Sequence, residues 1–190
     1  MYMTDPVRAS HTPDSQLRPQ GVVVYQSKRF QIVQFEENKK GSPVRLREVI
    51  EHPGSVVIIP LIEGDRICLI ANRRPAVGAT LLELPAGTLD RPEELEQAAR
   101  RELSEETGYA ALTVRPIGSY WMSPGILCER MHVFVAEGLS AGPQALEPGE
   151  DITLNVVSWS DAIAMCLDGR IEDAKTIASL LMFDAIRRNT

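Results

Sequence analysis

Cysteine is scarce: the 190 residues contain three, Cys68, Cys128 and Cys166, widely separated and odd in number. No C-x-x-C pair occurs, so neither a structural zinc site nor a disulfide framework is indicated, and three reduced thiols in or near the core are expected. Basic excess is also missing. The net charge is −6 and no Lys/Arg run forms a stripe, which argues against a nucleic-acid partner and leaves any anionic substrate to be held by local groups. Long apolar runs are absent too. Val56 to Ile62 and Ile67 to Ala71 are far too short to span a bilayer. The first 20 residues are polar, carry Pro6 and Pro13, and lack the apolar stretch of a signal peptide. They read as a flexible tail on a cytoplasmic protein. No internal repeat or low-complexity linker interrupts the rest.

What is present suits one domain over 21–190, with 44% hydrophobic and 24% charged residues. Strand-like segments are Val22 to Tyr25, Arg29 to Phe35, Val44 to Ile50, Ser55 to Ile62 and Arg66 to Ala71. Glu36 to Pro43 reads as an exposed loop and Glu63-Gly64-Asp65 as a hairpin turn. Ser55 to Ile62, almost wholly apolar, suits a central strand. Val44 to Ile50 partly alternates, which predicts one buried face and one polar face. A second block covers Val114 to Tyr120, Met131 to Ala136 and Ile152 to Trp159. Two helices close the chain, one capped by Ser160-Asp161 and one over Asp173 to Arg188 with Ile177, Leu180, Leu181 and Ala185 on one stripe. Strands, an internal helix, more strands and terminal helices predict an α/β domain with a mixed sheet.

The internal helix carries the chemistry. In GTLDRPEELEQAARRELSEETGY, Asp90 and Glu93 suggest a capping box, Pro92 suits the first turn, and Gly108 suits a left-handed C-cap. The spacing predicts a helix from Arg91 to Thr107. At about 100° per residue, Ala99 lies about +40° from Leu95 and Ala98 about −60°, which defines a core-facing stripe. Glu102 falls on that stripe at about −20° and Glu106 at about +20°. Glu105 lies beside it. Carboxylates on a core-facing stripe are costly to desolvate unless a cation or strong hydrogen bonds neutralise them. Oxygen ligands with no nearby His or Cys favour Mg²⁺ or Mn²⁺ over zinc. A solvated acidic helix end is the bland alternative, and the position of these residues on the apolar face argues against it.

Gly87, Glu93, Arg101-Glu102-Leu103, Glu105-Glu106, Gly108 and Tyr109 resemble the Nudix box at every fixed position. The resemblance implies a Nudix-type α/β/α sandwich and hydrolysis of nucleoside diphosphates linked to another moiety, with two or three Mg²⁺ or Mn²⁺ ions. By position, Glu102 and Glu106 resemble the principal metal ligands, Glu105 a further ligand or the base, and the Ala86 carbonyl another metal contact. Arg101 is expected to orient Glu105 by charge pairing.

From about Val24 to Leu181 the chain is also similar to the ADP-ribose pyrophosphatase branch. The similar stretches are Arg47 to Gly54, Leu82 to Gly87, Ser123-Pro124-Gly125, His132 to Ala136 and Asp173 to Ile177. Pro124 stands where the branch places a marker proline, although Ser-Pro-Gly is also an ordinary turn. The branch implies Phe30 as an adenine-stacking aromatic or core residue, and Arg74 as a diphosphate ligand or surface arginine. Arg47 and Glu48 resemble residues that reach the substrate from the partner of a homodimer, which the strands of 21–50 would help to form. They could equally line a solvated strand face. Asn72-Arg73-Arg74 departs from the usual Gln-aromatic-Arg and alters one pocket wall. In the acidic loop Glu147 to Asp151, Glu150 is the first candidate for a catalytic base and Glu147 the second. The expected reaction converts ADP-ribose to AMP and ribose 5-phosphate. GDP-mannose hydrolysis and non-catalytic ADP-ribose sensing are the alternatives.

Overall fold

The computed structural model describes residues 21–27 and 30–189. The expected tail at 1–20 and Arg29 lie outside them. Thirteen elements follow in chain order: β1 (Val22–Gln26), β2 (Gln31–Glu37), β3 (Arg45–Glu51), β4 (Ser55–Ile62), β5 (Arg66–Arg74), β6 (Ala79–Glu83), β7 (Ala86–Thr88), α1 (Leu95–Thr107), β8 (Tyr109–Ser123), β9 (Leu127–Ala141), β10 (Ile152–Ser158), α2 (Trp159–Asp168) and α3 (Ala174–Arg188).

The strand order is β1-β2-β3-β9-β4-β5-β10, with β6 on β5, β7 on β4 and β8 on β9. β9 runs parallel to both β3 and β4, and the other pairings are antiparallel. The sheet is therefore mixed, as expected. Alternation along β4 shows how its two faces are covered. Val56 and Ile58 pack with Leu95, Ala98, Ala99 and Leu103 of α1. Val57 and Ile59 pack with Trp159, Ala162, Leu180 and Phe183 of α2 and α3. One strand, buried on both faces, thus joins an α/β/α sandwich.

Several local expectations need correction. α1 begins at Leu95 rather than Arg91, with Glu94 as N-cap and its N–H donating to Gln97 Oε1 at 3.4 Å. Glu93 cannot serve as the third helical residue because Arg101 holds its carboxylate, at 2.6 Å from Nη2 and 3.0 Å from Nε. Pro92 consequently precedes the helix. The cap of α2 is Ser158, whose Oγ accepts from the Asp161 N–H; β10 passes into the helix with no intervening residue. In α3, Leu181 and Ala185 are exposed, and the buried stripe is Lys175, Thr176, Ser179, Leu180 and Phe183. The helix turns these polar residues inward because each has a partner there: Glu83, the Leu84 N–H and the Tyr120 hydroxyl.

β3 does not bury one face. Arg45 to Glu48 are exposed, because β1 to β3 form an arm that meets the main sheet only where Ile50 registers with Leu127. Several of its apolar residues are open, Val22 at 71% and Leu46 at 59%, whereas Val33 of β2 is buried. The short β6 and β7 had no alternating pattern to reveal them. β8 and β9 extend beyond their apolar cores as one long hairpin, and β8 carries Pro116 opposite Phe134, next to a register shift.

Thr176 ties α3 to the strand before the loop at 85–87. Its Oγ1 accepts from the buried Leu84 N–H at 2.8 Å and donates to Asp173 Oδ2 at 2.6 Å. Thr176→Val preserves shape but leaves that N–H unsatisfied, so unfolding free energy should fall by about 1–3 kcal/mol. The denaturant midpoint at unchanged slope reads this, and a loss below about 0.5 kcal/mol would contradict it.

Candidate active site

A cleft of about 630 Å³ opens between the β1–β2 turn, the end of β5, the β7 loop, α1 and the loop before β10. α1 delivers Arg101, Glu102 and Glu106 to it, and Gly108 ends the helix at φ 72°, a left-handed conformation suited to glycine. Ala86 and Gly87 come from β7, and Glu147 and Glu150 from the late loop. Phe30 and Arg74 border the same space.

Glu106 is 4% exposed and accepts one hydrogen bond, from the Ala86 N–H at 2.9 Å. Burial pushes its carboxyl up to about 8. The Ala86 N–H opposes that rise, while the charges of Glu102 and Glu150 add to it. Glu102 is also raised by burial, with Arg101 pulling it back and Glu105 and Glu150 pushing it further. Its carboxylate lies over Gly87 so closely that any Cβ there would overlap it. That close approach is the physical reason for glycine at this position.

Arg101 is the hub. It donates to Glu93 at 2.6 Å, to Glu102 at 2.6 Å and to Glu105 at 2.8 Å. The expected pairing with Glu105 is therefore present, together with two others. Glu105 does not line the cleft but lies behind Arg101, with Arg91 Nη1 3.8 Å away. Arg91 also meets Glu147 at 3.3 Å, and Glu150 Oε2 accepts from the Glu147 N–H at 2.8 Å. Asp151 is not among the lining residues.

The remaining candidates divide. Phe30 lies on the cleft wall, its ring 5.9 Å from that of Tyr25. Arg74 is held side-on by Glu83 at 2.7 and 2.6 Å. Arg47, Glu48 and Pro124 do not reach this chain's cleft. Arg47 pairs with Glu37, Glu48 accepts from Gln34, and Pro124 sits between β8 and β9. Sequence reasoning missed Glu83, which is 1% exposed. The available signal was a lone charge inside the apolar run Leu81-Leu82-Glu83-Leu84, because such a charge must be partnered. The free cysteines match expectation, with Cys68 buried and the other two half-buried.

The donors fit a hard cation. Glu102, Glu106, Glu147 and Glu150 supply only oxygen, and among the described residues no cation pairs directly with the buried Glu106 carboxylate, although the Arg74 charge is felt there. Among the described residues no three acidic, histidine or cysteine side chains converge on one centre, and Arg101 Nη1 lies between Glu102 and Glu105.

The NUDIX domain profile matches residues 51–180, a span that contains α1 and the β7 loop. The chain belongs to the Nudix family. This Nudix hydrolase is 38% identical over 132 residues to an ADP-ribose pyrophosphatase of Bacillus subtilis, covering 68% of this chain and 71% of that protein. It is 45% identical over 157 residues to a GDP-mannose pyrophosphatase of Pectobacterium atrosepticum, covering 76% and 80%. A crystal structure described as an ADP compounds hydrolase superposes with a TM-score of 0.79 at 20% identity, covering 90% and 92% of the two chains. At that identity the likeness bears on the fold alone. No helix among the described residues is long and apolar enough to cross a membrane.

Gly87→Ala forces the Glu102 carboxylate aside, and a displacement of about 1 Å in such a site costs about 100-fold in rate. The variant should fold with a near-native circular dichroism spectrum and lose about that much kcat/KM. Wild-type activity would show that the close packing of Glu102 on Gly87 is dispensable.

Proposed function

We propose that this Nudix hydrolase cleaves the diphosphate of ADP-ribose, giving AMP and ribose 5-phosphate. The observation that carries this reading is one cleft with Glu102, Glu106 and Glu150 on one side and Phe30 and Arg74 also on its wall. Acidic groups for metal and water, a cation for phosphate and an aromatic for a base thus face the same space. The relative from Bacillus subtilis supports the choice of ADP-ribose.

In this mechanism Phe30 stacks on adenine and the Arg74 guanidinium binds the diphosphate oxygens. Glu102 and Glu106, with the Ala86 carbonyl, are the groups that would hold divalent metal, and Glu105 would join them on turning from Arg101. Bound Mg²⁺ or Mn²⁺, two or three ions, supplies neutralisation of the phosphate oxygens and a lowered pKa for water. Glu150 accepts the proton of the water whose oxygen attacks phosphorus, with Glu105 the second candidate. The bond from that phosphorus to the bridging oxygen breaks, and the second phosphate leaves with its sugar. Arg101 orients Glu105 and Glu102.

GDP-mannose is the second reading, favoured by the 45% identity to the enzyme from Pectobacterium atrosepticum. Turnover of ADP-ribose, GDP-mannose and other nucleoside diphosphate sugars with Mg²⁺ and Mn²⁺, read by phosphate release after phosphatase coupling, should give ADP-ribose the highest kcat/KM. A preference for GDP-mannose would replace the first reading with the second. ADP-ribose binding without turnover would favour a sensor. Glu106→Gln should lower kcat by more than about 100-fold while the fold is kept. Full activity at saturating Mg²⁺ would sink the metal assignment.

The reading includes a homodimer in the cytoplasm. The exposed apolar arm of β1 to β3 supports the pairing, and Arg47 and Glu48 on β3 would then serve the partner's cleft. Sedimentation should report twice the chain mass of 21.0 kDa. A monomer with full activity would remove the partner roles of Arg47 and Glu48.

A further inference from the structure

Behind the cleft wall lies a second charged cluster that the hydrolytic reading leaves unexplained. Glu83, at the end of β6, is 1% exposed and accepts two hydrogen bonds from Arg74 and one from Lys175. Lys175 is itself buried and lies 3.0 Å from Asp173. Asp173 caps α3 and accepts from Thr176. Burial alone would raise the Glu83 carboxyl, but Arg74 and Lys175 together hold it below the usual carboxylate range. Two acids and two bases balance, and the cluster is satisfied. Stability by itself does not account for it, because apolar residues of similar volume commonly replace buried ion pairs without loss.

Its geometry suggests a different use. Glu83 engages Arg74 through Nε and Nη2, one edge of a planar group. Fixing that edge fixes the whole plane. Nη1 has no protein partner among the described residues, and the Arg74 side chain is 42% exposed where it borders the cleft. The Lys175 ammonium bridges Glu83 and Asp173, so the guanidinium is anchored through Glu83 to the start of α3. Thr176 of the same turn secures Leu84, two residues before the Ala86 N–H that binds Glu106. One helix start therefore anchors both Arg74 and the loop beneath the acidic groups.

We propose that Glu83 is a positioning residue that presents the Arg74 guanidinium to the diphosphate of the substrate, with Lys175 and Asp173 holding Glu83 in place. The proposal rests on the diphosphate reading of the cleft. A pre-set guanidinium avoids the ordering cost that a free arginine would incur on binding. Glu83 acts on affinity through Arg74 and touches no reacting atom.

Two measurements on the full chain test this. Steady-state kinetics with ADP-ribose should show KM raised about tenfold in Glu83→Gln, with kcat within about threefold, and Arg74→Ala should show at least that rise in KM. In ¹⁵N NMR of the substrate-free protein, the Arg74 Nε–H should be protected from exchange in the wild type and should lose that protection in Glu83→Gln. Should Glu83→Gln fold poorly, Glu83→Gln/Lys175→Met removes one charge of each sign and should show the same two effects. Protection that persists in the variants, or KM that stays at the wild-type value, overturns the proposal. Wild-type protein that neither binds ADP nor hydrolyses any nucleoside diphosphate sugar overturns the diphosphate reading and the proposal with it. Wild-type turnover of ADP-ribose with KM indifferent to Glu83 overturns the proposal alone.

Discussion

A single guanidinium, that of Arg101, binds the carboxylates of Glu93, Glu102 and Glu105. The acidic half of α1 depends on this contact. Carboxylates one turn apart repel each other, and burial strengthens that repulsion. Arg101 relieves it for Glu102 and Glu105, and ties in Glu93 from the segment before the helix. Glu106, on the same helix stripe, accepts among the described residues only the Ala86 N–H, with Arg74 adding a weaker relief, and its carboxyl is pushed up to about 8. That imbalance makes the cleft receptive to a cation. The start of α1 follows from the same contact, since Glu93 is drawn to Arg101 and leaves the capping role to Glu94.

The sheet places this chemistry. β4, central and buried on both faces, alternates between the α1 layer and the α2/α3 layer. β7 pairs with β4 at Val57 and Ala86, which sets the loop glycine beneath Glu102. From the other layer, α3 reaches the end of β6 through Lys175 and Thr176. Both helical layers therefore converge on the residues from Glu83 to Gly87. A substitution at the start of α3 can alter the cleft without lining it.

Much of α1 was legible beforehand. Leu95, Ala98, Ala99, Glu102 and Glu106 share one helical face by spacing alone; four of them are buried and Glu102 is half-buried. The box residues are close in sequence, so the period of a helix suffices to place them relative to one another. β4 was legible for a similar reason, because its short, nearly continuous apolar run suits a central strand covered on both sides. β3 misled because alternation shows which residues could share a face, not whether anything packs against it. α3 misled in another way. Its inward residues are polar and become acceptable only through partners some ninety positions away, such as Glu83 and Leu84.

By itself, the sequence determined the helical stripe with Glu102 and Glu106 on it, the glycine at the helix end, and the two-faced central strand. These depend on local spacing, and helix and strand geometry are the same in any fold. Only the tertiary structure decided that Glu83 faces Arg74 and Lys175, that Arg47 and Pro124 stay away from this chain's cleft, and that the arm of β1 to β3 leaves Val22 and Leu46 open. Those outcomes depend on which distant segments meet. A charge within an apolar run shows that it must have a partner, but only packing chooses the partner.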